Sequence, residues 1–156
     1  MSVRIRARIT GLTEAAEKIT GLDDRKKLAD RIAGELESGT IRRFQEEKEP
    51  SGKPWKANLR GGKILNFQGF MKDSITTYAE DDYVEIGSNL PYAGVHQTGA
   101  VIKARFSRFL QFCVNGRWAR KSSVEIQARP YLGVSKDDEK RIQLCIGDFM
   151  TEALRG

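Results

Sequence analysis

Thr76-Thr77-Tyr78-Ala79, then Glu80-Asp81-Asp82, then Tyr83-Val84-Glu85-Ile86-Gly87 lie in the middle of the chain. Two runs of β-branched and aromatic residues flank three acids, which predicts an antiparallel hairpin. Just before it, Phe70 to Tyr78 reads as a short amphipathic helix or a helix running into a strand, with Phe70, Met71 and Ile75 apolar. Further upstream, Leu28, Ala29, Ile32, Ala33, Leu36 and Phe44 make one helical stripe, with Lys26, Lys27, Arg31 and Glu35 outside it. That helix is expected to start at Asp23-Asp24 and to run to about Gln45, weakened at Gly39 and Thr40. Thr13 is expected to cap a short helix from Glu14 to Thr20, broken by Gly21. At the front, Val3, Ile5, Ala7 and Ile9 alternate with Arg4, Arg6 and Arg8, the pattern of a half-buried strand with three arginines on its outer face.

Downstream, Pro91 to Gly99 reads as a helical turn. Phe109–Val114, Asn115-Gly116 and Arg117–Ala119 form a second hairpin, because Asn-Gly tolerates the two positive φ angles of a type I′ turn. Val124–Ala128 is a last strand. Ser135 caps the final helix, with Asp137 and Asp138 at its positive end. Its face is Ile142, Cys145, Ile146, Phe149, Met150 and Ala153. The fold class is α+β: a small antiparallel sheet packed with a long helix in the N-terminal half and a C-terminal helix, with an extended loop and a protruding β-hairpin. One domain over 1–156 is expected, with the 49–69 loop and the 100–124 hairpin arm as interface elements.

The chain has 156 residues, 39% hydrophobic and 31% charged, so it is long enough for one core and too apolar for a disordered chain. No apolar run reaches the roughly 18 residues of a membrane span, and the first residues lack a secretory h-region. Cys113 and Cys145 stand apart without CxxC spacing and read as reduced thiols. The net charge of +6 is uneven. Gly99 to Pro130 carries seven basic residues (Lys103, Arg105, Arg108, Arg117, Arg120, Lys121, Arg129) against Glu125 alone. Asp73 to Thr98 carries five acids and no Lys or Arg. The basic arm fits a solvated loop, a nucleic-acid surface or a surface for an acidic protein partner.

No residue pattern points to catalysis. His96 is the single histidine, and a metal would need further ligands. No nucleophile sits on a GxSxG elbow. Asp81-Asp82 and Asp137-Asp138 are neighbours whose side chains diverge, so neither pair makes a shared acid/base site. Gly61-Gly62-Lys63 lacks the earlier Gly and the Ser/Thr of a phosphate loop. No catalytic residue, cofactor or metal is therefore assigned. Trp55 fits two roles, an anchor of the long loop on the core or a contact on a neighbouring subunit.

Five stretches in order carry a family resemblance. They are Phe44-x-x-Glu47-x-x-Pro50-x-Gly52-x-Pro54-Trp55; Ile64-Leu65 leading to Gly69-Phe70-x-x-x-Ser74-Ile75; Val84-x-Ile86-Gly87-Ser88; Tyr92-Ala93-x-x-His96-Gln97-x-Gly99; and Ala128-Arg129-Pro130-Tyr131-Leu132-Gly133-Val134-Ser135. Together they resemble the phage virion morphogenesis family, the tail-completion proteins of Mu-like tailed phages and prophages. Tyr131 stands where Phe is usual, and Gln127 where Pro often precedes Ala-Arg-Pro.

The resemblance implies a structural protein of the virion at the head–tail junction, made in the host cytoplasm, and not an enzyme. It implies a ring of copies of itself, six in number, beside neck proteins such as a head–tail adaptor and a tail terminator. Genomic DNA would pass the channel without specific contact; no membrane or small-molecule substrate is implied. Under it, Tyr92, His96, Gln97, Arg129, Pro130 and Tyr131 are structural motif residues that tie strand ends together. Trp55, Arg4, Arg6, Arg8, Arg105, Arg108, Phe112, Arg117, Trp118 and Arg120 are the suspected interface. The alternative is a basic DNA-binding module built on the arm.

Overall fold

The computed structural model describes residues 3–8, 25–58, 61–65 and 68–155. In chain order these form β1 (Val3–Arg8), α1 (Arg25–Glu46), α2 (Phe70–Asp73), β2 (Ile75–Glu80), β3 (Tyr83–Ser88), α3 (Ala93–Thr98), β4 (Ala100–Lys103), β5 (Leu110–Val114), β6 (Arg117–Lys121), β7 (Ser123–Ile126) and α4 (Lys136–Arg155). The α+β class stands. The Thr13 cap, the Glu14–Thr20 helix, Gly21 and the Asp23-Asp24 start lie outside the described residues.

β1, β3 and β2 form an antiparallel sheet in that spatial order. The central hairpin closes through Asp81-Asp82, with Glu80 opposite Tyr83. Register puts Val3, Ile5 and Ala7 opposite Ser88, Ile86 and Val84, so one apolar face is continuous across the strands. α1 lies across that face, and α4 packs on α1. The expected stripe of α1 is buried from Leu28 to Phe44.

Gly39 and Thr40 do not weaken α1, which runs unbroken through both. They are where α4 comes closest: a Cβ on Gly39 would lie 2.1 Å from Asp138 Oδ1. The glycine's cost in helix propensity is exchanged for a close helix–helix contact. Thr40 turns inward and donates to the Leu36 carbonyl at 2.9 Å.

β4 was not read as a strand. It pairs with β7, Ala100 opposite Ile126, and their flanks lead into the β5–β6 ribbon. The ribbon turns on Asn115 (φ 51°) and Gly116 (φ 76°), as the Asn-Gly pair predicts. No hydrophobic residue from Ala100 to Ile126 belongs to the core cluster or packs against it.

Candidate functional site

The 49–69 loop is held by the chain's own core over its described residues, although it was expected to gain its order from neighbours. Trp55 is only 6% exposed. Its ring meets Phe44 edge-on at 5.6 Å, and Nε1 donates to the Pro130 carbonyl at 2.9 Å. Of its two readings, the structure shows the anchor. Glu47 accepts the Ile64 N–H, and Arg129 donates to the carbonyls of Lys56 and Ala57.

Gln97 is the centre of the YAxxHQ and ARPYLG stretches. Its Oε1 accepts the N–H groups of Tyr131 and Leu132, both at 3.1 Å, and its Nε2 donates to the Leu132 carbonyl. Tyr131 is fully buried, donates to the Ala93 carbonyl, and has its pKa pushed up by that burial. Pro130 presents its carbonyl to Trp55. His96 was expected to tie strand ends through its ring. It does so only through its backbone carbonyl, which accepts the Arg129 N–H at 2.8 Å. Its ring lies edge-on to Tyr92 at 6.0 Å, and Nδ1 is buried without a partner. Burial, then the nearby Arg129 charge, hold its pKa below the usual value.

The two motif side chains should therefore respond differently. Gln97→Ala leaves two backbone N–H groups unpaired and should cost about 2–4 kcal/mol, whereas His96→Ala breaks no side-chain hydrogen bond and should cost about 1 kcal/mol or less. Urea unfolding of both variants checks the order; a larger loss at His96 would reverse it.

A polar node that the sequence reading missed joins these parts. Asp138, 1% exposed, accepts from Arg43, Arg141 and the Ser135 hydroxyl. Arg43 also donates to Thr40 and, at 3.1 Å, to the Tyr131 carbonyl. Desolvation lowers the Arg43 pKa, opposed by Asp138. Asp138 was read only as a helix start. The available signal was an arginine on the apolar stripe of a helix, which demands a buried partner.

The suspected interface residues divide. Arg4 and Arg6 sit on the outer sheet face but turn to Glu85, at 3.6 and 2.5 Å, and Arg6 also stacks over Tyr83. Hydrogen bonding to Glu85 raises the Arg6 pKa. The side chain of Arg8 is outside the described residues. Arg105, Arg108, Arg117 and Arg120 are exposed and, among the described residues, meet no carboxylate, as is also so for Lys103 and Lys121. Trp118 is 71% exposed, and Phe106 is fully exposed. Phe112 lies opposite Ala119 on one ribbon face, with Trp118 and Arg120 on the other. The arm is thus a basic, aromatic surface whose hydrophobic side chains, among the described residues, pack on no part of the core.

Among the described residues, no group of three or more His, Cys, Asp or Glu is placed to hold a metal ion. Among the described residues, no helix is long and apolar enough to cross a membrane.

Comparison with known proteins agrees with the motif order. The chain is 30% identical over 139 residues to the Mu-like prophage FluMu G protein 2 of Haemophilus influenzae, covering 88% of each. It is 29% identical over 137 residues to the putative capsid assembly protein G of Escherichia phage Mu, covering 80% of this chain and 78% of that one. No solved structure matches it. The model of the phage virion morphogenesis family matches residues 5–151, from β1 into α4. The chain belongs to the phage virion morphogenesis family.

Proposed function

We propose that this protein is a structural joint of the phage neck, completing the tail so that the DNA-filled head attaches. In this reading six copies close into a ring at the head–tail junction, against neighbours such as a head–tail adaptor and a tail terminator. The observation that carries it is the arm: six basic side chains that meet no carboxylate among the described residues, interleaved with exposed Phe106 and Trp118. A closed cyclic ring needs a heterologous contact, in which one surface meets a different one on the next copy. The basic arm and the acidic Glu80-Asp81-Asp82 tip, at separate places on the chain, supply such a pair.

A DNA-binding module is the second reading, favoured by Trp118 beside Arg120, since aromatic platforms among cations also suit nucleic acid. Protein neighbours are the better fit. A channel that lets DNA slide gains nothing from many phosphate contacts, because each one adds to binding and hence to friction.

Arg117→Glu with Arg120→Glu should abolish ring assembly and leave the melting temperature unchanged, read by native mass measurement of the protein alone and in particles. Arg4 and Arg6 are the wrong pair for this test, because reversing them would break contacts to Glu85. Proteolysis of the free protein should cut first near Lys103–Arg108 or Arg120–Ser123, and assembly should protect those bonds. Duplex DNA should bind the free protein at about 10⁻⁴–10⁻⁶ M near physiological salt. Nanomolar, sequence-dependent binding would promote the DNA-binding module instead.

A further inference from the structure

A cleft of about 620 Å³ opens between the latched loop, α2 and α3, away from the arm. Its apolar wall includes Ile64, Phe70, Met71 and Tyr92. Phe70 and Tyr92 are exposed although large and aromatic. The polar groups lining it are incompletely satisfied. Among the described residues, Asn58 Oδ1 and His96 Nδ1 are both buried without a hydrogen-bond partner. Arg129 is buried, holds two backbone carbonyls and meets no carboxylate among the described residues. Lys63 adds a second positive charge, its ammonium donating to the Gln45 carbonyl. A mainly apolar cleft with a few convergent polar groups is the usual form of a binding site.

We propose that this cleft binds an extended acidic segment of another protein, with a carboxylate at Arg129 and Lys63, a backbone N–H at Asn58 and an apolar side chain between Phe70 and Tyr92. The chemistry selects peptide. A buried amide oxygen needs a donor, which a peptide N–H supplies and a nucleic-acid phosphate does not. Two cations that meet no carboxylate among the described residues select an acidic segment over a neutral one. The exposed aromatics select one that carries an apolar side chain. The assignment depends neither on the ring nor on the arm, so it can fail while the neck role stands.

His96 is the only histidine, so its imidazole proton resonances report on this cleft alone. The full chain is titrated with acetyl-Leu-Asp-Leu-amide and, separately, with acetyl-Leu-Asn-Leu-amide. The Asp peptide should shift the His96 resonances saturably, and the Asn peptide should bind about tenfold more weakly. Among the described residues, Arg129 acts on the imidazole, Lys63 is the other charged group lining the cleft, and Tyr92 is the other titratable one. A bound carboxylate opposes the depression by burial and Arg129, so the His96 titration midpoint should rise. Lys63→Gln, at an exposed side chain, should weaken the Asp peptide several-fold and leave the melting temperature unchanged. Absence of a saturable shift with either peptide, or equal affinity for both, overturns the proposal. Resonances that move with protein concentration alone would make a second copy the occupant and overturn the assignment to another protein.

Discussion

Asp138→Ala is expected to destabilise the chain by about 3–5 kcal/mol, the cost of leaving a buried cation without its partner. Arg43 stays enclosed by Thr40 and the Tyr131 carbonyl, neither of which neutralises it. The substitution also removes the carboxylate that accepts the Ser135 N–H at the start of α4, a capping contact. Arg43→Met combined with Asp138→Ala should recover part of the loss, because no buried charge is then unpaired. The Tyr131 carbonyl would still lack its donor, so recovery should be incomplete. Urea midpoints at constant m-value measure all three chains. A loss below about 1 kcal/mol for Asp138→Ala would place this pair with solvated surface ion pairs and refute the node.

Trp55→Ala comes next, at about 3–5 kcal/mol for emptying a large buried aromatic site. The variant loses the edge contact to Phe44 on α1 and the bond to the Pro130 carbonyl in the ARPYLG stretch, leaving Arg129 to hold the loop. Trp55→Phe keeps a ring on Phe44 and loses only the indole donor, so about 1 kcal/mol is expected. Cleavage near Lys53 and Lys56 should accelerate in the alanine variant and little in the phenylalanine one. If Trp55→Ala kept its stability but failed to assemble, Trp55 would return to the interface role that the sequence also allowed.

These two residues show why part of the site was hidden from the sequence. Trp55 stands in a stretch without period, so nothing local says whether its ring turns to the core or outward. Asp138 sits where helix starts favour acids, and that local reason is true but incomplete. Its main partner is 95 positions away, on another helix. Gln97 was named as a motif residue, but its three bonds run to backbone groups 34 and 35 positions on. His96 stood out as the lone histidine, and its ring makes none of those ties.

By itself the sequence determined the features that neighbours along the chain enforce. Alternation specified β1, two β-branched and aromatic runs around Glu80-Asp81-Asp82 specified β2 and β3, the stripes specified α1 and α4, and Asn115-Gly116 specified the ribbon turn, since each follows from residues a few positions apart. The ordered motifs carried the family. Only the tertiary structure decided where closure brings distant groups together. It paired β4 with β7, Ala100 opposite Ile126 and Lys103 opposite Ser123, turned Arg4 and Arg6 to Glu85, and made Gly39 the contact for α4. Among the described residues, it also left the arm's cations without a carboxylate. Charge and polarity are legible residue by residue, but whether a charge is neutralised depends on which surfaces the folded chain places within hydrogen-bond reach.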